Sequence, residues 1–266
     1  MHQEDIIPTH ADSYDTLNFV HSKCVCVYKK EGYTPLQVVN QIKQYLLPEE
    51  VSVCTYVGRL DPMAEGWMHV LWSGDAKEKE QLASLDKVYE VEVVLGIKTD
   101  TGDALGLVVQ ESDGVVEEKK LQDTVQTFIG SFEYPYPTYS SPHIKKTLRG
   151  IENHTQDTRL QKGNIFSIDL VSIQHVSSVD MQQKIEQKLA MCHMDGDFRL
   201  DSIQDGWRKF FMRIHSHTIF TTIKLRVSCS SGTYMRTLAE ELGKKMNTCG
   251  FAFSIVRIGV GKTVTV

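Results

Sequence analysis

Apolar and polar residues alternate through several stretches of this 266-residue chain, at the two-residue period that turns one face of a strand into a core. The clearest is Thr218–Cys229, where Ile219, Thr221, Ile223, Leu225, Val227 and Cys229 share a face. Tyr89, Val91, Val93 and Leu95 repeat the pattern within Asp86–Gly96, and Cys24–Lys29 and Ile165–Ile173 read as further strands. Phe251–Ile258 and Thr263–Val266 are strand-like too, and the apolar run Trp67–Trp72 reads as a buried strand. Helical spacing takes over elsewhere. Leu36, Val39, Ile42 and Leu46 mark a helix that Thr34 caps and Pro35 opens. Asp75–Leu85, Val179–Met191 and a segment carrying Leu238 and Leu242 are also helical, as is Glu117–Ile129, with Leu121, Val125 and Phe128 on its apolar face and Gly130 at its end. Residues 192–215 show no clear period. Trp207, Phe210 and Phe211 lie there beside Arg208 and Lys209, and either clamp nucleic acid or pin a loop to the core.

One loop between these elements carries candidate chemistry. In Gly58-Arg59-Leu60-Asp61-Pro62, Pro62 forces Asp61 into an extended conformation, just before the buried run. Gly58 and Gly66 bracket the turn, where the backbone can take a positive φ or approach a ligand closely. Taken alone, Asp61 reads as an Asx-turn residue and Tyr89 as a core aromatic. Arg236 stands in the first turns of a helix, where its charge opposes the macrodipole, so it needs a carboxylate partner. Asp100 and Asp103 in Thr-Asp-Thr-Gly-Asp-Ala-Leu-Gly (99–106) lack metal-loop spacing, and a glycine-rich turn between strands is the better reading.

Composition refines this picture. At 41% hydrophobic and 24% charged residues the chain is an ordinary globular one, with no run as long as a membrane span. Met1–Asn18 holds four acids and no Lys or Arg, which excludes a secretory signal and suggests a short arm over residues 1–20 ahead of one domain at 21–266. Six cysteines without a Cys-x-x-Cys pair point to buried thiols in a reducing cytoplasm rather than to zinc. The net charge of −5 argues against an RNA partner, but residues 221–266 carry seven basic residues against two acids, and 143–162 five against two.

The ordered blocks Gly-Arg-Leu-Asp-Pro, Asp86-Lys87-Val88-Tyr89, Thr99–Gly106 and Cys229-Ser230-Ser231-Gly232-Thr233-Tyr234-Met235-Arg236-Thr237 resemble those of the TruB family of tRNA pseudouridine synthases. The resemblance extends over roughly residues 24–262, is poor at 143–217, and implies a catalytic domain without the RNA-binding PUA domain that relatives often append. It implies an α+β fold, a large mixed, mainly antiparallel sheet flanked by helices. It also implies a cytoplasmic, monomeric isomerase that uses neither cofactor nor metal and acts on tRNA, at uridine 55 of the T arm.

By that resemblance Asp61 is the essential carboxylate, nucleophile or base at the sugar, and Arg236 pairs with it. Tyr89 stacks on the target uracil and helps remove the C5 proton. Tyr56, Gly58, Leu60, Tyr234 and Val256 line the substrate pocket. Tyr56 stands where the family carries a histidine that displaces the target nucleotide. Lys29, Lys145, Lys146 and Arg149 are the expected RNA-backbone contacts. Three rival readings remain at this level. They are a non-catalytic RNA-binding or chaperone protein of the same fold, a synthase for another RNA site, and a metal-dependent hydrolase using Asp61, Asp100 and Asp103.

Overall fold

A computed structural model describes residues 23–135, 160–192, 199–261 and 263–264. The chain opens with β1 (Cys24–Lys29), α1 (Pro35–Ile42), a single 3₁₀ turn (Lys43–Tyr45) and the short α2 (Pro48–Val51). Strands β2 (Thr55–Val57) and β3 (Ala64–Leu71) flank the Asp61 loop, and α3 (Ala76–Ser84) follows. Next come β4 (Lys87–Leu95), β5 (Ile97–Thr99), β6 (Val108–Glu111), α4 (Glu118–Gln126) and β7 (Gly130–Pro135). The second half runs β8 (Leu160–Ser177), α5 (Ser178–Ala190), α6 (Leu200–Arg213) and β9 (Ile219–Cys229), then α7 (Met235–Lys245), β10 (Gly250–Val260) and β11 (Thr263–Val264).

Nine strands form one sheet, in the order β1-β3-β10-β4-β9-β8-β7, with β2 attached to β3 and β11 to β10; β5 and β6 make a separate hairpin. All pairs are antiparallel except β3 with β10. That parallel contact is close. A Cβ on Gly66 would stand 2.2 Å from the Arg257 carbonyl oxygen, and the residue has φ +119°, so only glycine fits. The expected α+β architecture is therefore the one observed.

The predicted start of α1 is present in full. Thr34 Oγ1 accepts from the Gln37 N–H, the Gln37 side chain reaches back to the Thr34 N–H, and Pro35 occupies the first turn. Consecutive Val93 and Val94 point into different cores, one on each face of the sheet. The first core gathers Met68, Val91, Val93, Leu225 and Val227 of the sheet under Val39, Leu121, Val125, Leu238 and Leu242 of the helices. The second packs Val94, Phe220 and Phe251 under α5 and α6.

Helix α6 corrects the reading of residues 192–215 as aperiodic. Ile203, Trp207, Phe210 and Phe211 form a buried helical stripe, and Trp207 packs against Phe210, Phe211 and Phe251 with centroids 5.7–5.9 Å apart. These aromatics are core residues, not a nucleic-acid clamp. The Trp207 indole N–H donates to the Ala104 carbonyl at 3.0 Å, so the helix also holds the turn that follows β5. Trp207→Ala removes a fully buried ring and orphans that carbonyl. It should lower the unfolding free energy by about 3–5 kcal/mol, measured by urea denaturation.

Candidate active site

The loop between β2 and β3 is anchored on both sides of the sheet. Leu60 is buried in the first core and Met63 in the second, which leaves Asp61 between them with its side chain 23% exposed. Ala64 N–H donates to the Asp61 carbonyl at 3.0 Å, closing the turn. Basic side chains hold the loop through its carbonyl oxygens. Arg257 donates from one guanidinium amine to the Gly58 oxygen (2.7 Å) and from Nε to the Trp67 oxygen (2.6 Å), spanning the loop from end to end. Lys29 donates to the oxygens of Lys30, Tyr33 and Pro62 at 3.1, 2.7 and 3.2 Å. Lys29, expected at the RNA backbone, is thus a correction. It is wholly buried, its donors are spent on carbonyls, and burial pulls its ammonium down to about 8 against the pull of Asp61.

Arg236 comes to Asp61 from the first turn of α7. Its Nε lies 2.8 Å from Asp61 Oδ2 and 3.9 Å from Asp103 Oδ2. The first contact is a close ion pair rather than a straight hydrogen bond, since no acceptor lies in line with the buried Nε–H. A terminal guanidinium N–H donates to the Thr101 carbonyl at 2.7 Å. Burial works against the charge of Arg236, but Asp61, Asp103 and Tyr234 outweigh it and keep the guanidinium protonated. Tyr234 caps α7 at this point. Its N–H donates to the Tyr134 hydroxyl, which donates in turn to the Gly232 carbonyl, so the turn before the helix is clamped.

Asp103 and the turn around it were missed as site components. The Asp103 carboxylate accepts from Leu105 N–H (3.0 Å) and Thr101 Oγ1 (2.6 Å), as a glycine-rich turn requires, and it also faces Arg236. Burial raises its pKa, with Arg236 and Thr101 opposing. Gly102 lets the turn reach α7. It has φ +75°, and a Cβ there would meet Glu240 Oε1 at 2.9 Å and Arg236 Cβ at 3.3 Å. Asp100 serves the same turn, accepting from Leu107 N–H and pairing with Arg199. Among the described residues no three His, Cys, Asp or Glu side chains converge as a metal cluster would.

Tyr89 sits on β4, almost buried, with its hydroxyl against Arg257. Burial pushes the phenol up, and the Arg257 guanidinium only partly offsets this. Strand register corrects one pocket residue. Val256 pairs with Glu90 and Glu65, on the pleat opposite Tyr89, whereas Ile255 pairs with Val91 and lies in the same core as Leu60 and Tyr89. The lining position expected of Val256 therefore falls to Ile255. Tyr56, on β2 opposite Val70, is half-buried against that core. Lys145, Lys146 and Arg149 lie outside the described residues. Arg257 carried no assigned role in the sequence, and Asp103 only the metal-binding one of the hydrolase reading. The available signal was an arginine inside an otherwise apolar strand, which demands partners.

Arg236→Met tests the cluster. It leaves Asp103 buried without its guanidinium, a change that costs about 3–5 kcal/mol near neutral pH by urea denaturation. The sign with pH follows from Asp103. A carboxyl whose folded pKa is raised stabilises below its unfolded pKa, and that contribution is lost as pH rises through the folded value. The deficit of Arg236→Met relative to wild type should therefore shrink in mild acid.

Comparison with known proteins agrees with this geometry. A family model described as TruB family pseudouridylate synthase (N terminal domain) matches residues 49–189, which include Asp61, Tyr89 and Asp103. The chain is 27% identical over 238 residues to tRNA pseudouridine synthase B of Ralstonia pickettii (strain 12J), covering 88% of this chain and 60% of that protein. It is 28% identical over 244 residues to the protein of the same name from Psychrobacter cryohalolentis, covering 90% and 56%. This chain therefore spans somewhat over half the length of these relatives. Among solved structures, the crystal structure of a Cbf5-Nop10-Gar1 complex is similar in fold, with a TM-score of 0.52 and 17% identity over 88% of this chain and 47% of that one. The match over more than half of the chain places this protein in the TruB family of pseudouridylate synthases.

Proposed function

We propose that this protein isomerises uridine to pseudouridine in tRNA, at uridine 55 of the T arm. The observation that carries the reading is the Asp61–Arg236 pair. A partly exposed carboxylate is held at 2.8 Å from an almost fully buried guanidinium, on a loop whose carbonyls are tied down by two more cations. Such a group is oriented and cannot swing away, which is what reaction at a sugar carbon requires. The relatives named tRNA pseudouridine synthase B support tRNA as the substrate.

The reaction is an isomerisation and needs no net oxidant. Asp61 acts at the sugar as the N-glycosidic bond breaks. The uracil turns, its C5 bonds to the sugar carbon, and the C5 proton is released while N1, freed from the sugar, takes one up. Tyr89 lies near Asp61 in the same site. Because burial keeps its phenol protonated, Tyr89 serves as a stacking ring and a hydrogen-bonding partner in that proton's removal, not as a preformed phenolate. The target nucleotide must leave its stack to reach Asp61, at a cost of a few kcal/mol. Tyr56 is the candidate to occupy the space it vacates.

The test is direct. Purified protein is incubated with an unmodified tRNA transcript and pseudouridine is mapped by chemical sequencing. Modification at position 55 of the T arm is expected, and modification only elsewhere would overturn the site assignment. Asp61→Asn should abolish the reaction while leaving tRNA affinity nearly intact, because one polar atom replaces the charge. Single-turnover activity within about tenfold of wild type, roughly 1.4 kcal/mol of barrier, would remove Asp61 from its role. Tyr56→Ala should slow the single-turnover rate about tenfold to a hundredfold, from a stacking loss of roughly 1–3 kcal/mol, with binding barely changed. A variant that only melts earlier marks Tyr56 as a core tyrosine.

A further inference from the structure

Beneath the Asp61 loop lies an arginine that is 1% exposed and whose contacts are two backbone carbonyls and a phenol. We propose that Arg257 is the positioning residue that couples the Asp61 loop to the Tyr89 hydroxyl, setting both working groups from one buried guanidinium. The proposal rests on the reading of Asp61 and Tyr89 given above.

Geometry comes first. Gly58 O precedes Asp61 in the chain and Trp67 O follows it within β3, so two bonds from Arg257 tie the start of the loop to the strand that follows it. Arg257 is registered opposite Tyr89 across β10 and β4, and the same side chain meets the tyrosine hydroxyl. Displacing the guanidinium therefore moves the carboxylate loop and the phenol together. A planar fork is needed to serve two carbonyls in different directions while lying beside the phenol, and an ammonium on a flexible stem cannot do so.

The surroundings show what the fold gives up for this charge. Lys87 and His69 stand nearby and are pulled down to about 8 and about 4, first by burial and then by Arg257 itself. Gly58 Cα faces both cations, since a Cβ there would lie 3.7 Å from Arg257 and 4.0 Å from Lys87. Asp61 and Cys229 are the other titratable groups that face the phenol. A permanently charged arginine is retained where its neighbours are pressed toward neutrality, as expected of a group kept for its geometry.

Arg257→Met and Arg257→Lys test this, with tyrosine labelled with carbon-13 at Cζ as the second readout. In Arg257→Met the single-turnover rate per folded molecule should fall about a hundredfold, the size of effect a misplaced reacting group produces, while tRNA affinity hardly changes. The Tyr89 Cζ resonance should move, because the phenol oxygen loses its donor. Arg257→Lys keeps the charge without the fork and should recover only a small part of the rate. A rate per folded molecule equal to wild type, or an unmoved Tyr89 resonance, overturns the proposal. If neither variant folds, the wild-type protein decides. Slow exchange of the Arg257 Nε–H together with a nuclear Overhauser contact to the Tyr89 ring supports the coupling, and the absence of either overturns it. A wild-type protein that forms no pseudouridine overturns the functional reading and this role with it. An active wild type with an unmoved Tyr89 resonance in the variants overturns this role alone.

Discussion

A guanidinium taken out of water at the positive end of a helix cannot stand without negative charge. Arg236 is in that position, 4% exposed in the first turn of α7, and two carboxylates answer it from different parts of the chain. Asp61 arrives on the loop between β2 and β3, and Asp103 on the turn after β5. Each brings its own scaffold, so the ion pair fixes where three segments meet. Asp103 is the buried partner and Asp61 the one with a face to solvent. That asymmetry divides the labour. Asp103 is closed in beside the arginine, and Asp61 keeps a face to solvent.

The loop that bears Asp61 depends on a second, less familiar device. Arg257 and Lys29 donate to main-chain carbonyls instead of pairing mainly with acids. Main-chain oxygens do not titrate or change rotamer, so a loop tied through them keeps one shape. Leu60 and Met63 add apolar anchors on opposite faces of the sheet. The site is rigid because the backbone itself is bound, and Asp61 inherits that rigidity.

Much of this was legible from the sequence because the informative features are local. The Thr34–Gln37 cap, the alternation of β4 and β9, and the Asp61-Pro62 turn each need only neighbours a few residues away. What could not be read depends on distant partners or on irregular backbone. Asp103 satisfies its own turn, so nothing local betrayed its second role toward Arg236. Lys29 belongs to a residue type that is nearly always exposed, and one of its three carbonyl partners, Pro62, lies far away in the chain. Motif matching does not fix the pleat, and only the pairing of Ile255 with Val91 and of Val256 with Glu90 shows which neighbour shares a face with Tyr89. Helix α6 hid behind Gly206 in its middle and behind charges flanking a narrow apolar stripe.

The place of β10 in the sheet has a consequence for the order in which this molecule comes into being. β1, β2 and β3 join the rest of the sheet only through β10, which lies between β3 and β4 and is built from residues 250–260. A nascent chain on the ribosome carries Asp61 early, yet β3 and β4 are not joined in one sheet until β10 emerges. Chains with so large a separation between pairing partners fold slowly, since the loop must close before the contacts reward it. Until then the edges of β3 and β4 stand unpaired, two templates for association with other chains. The same late strand that completes the sheet also delivers Arg257 to the loop.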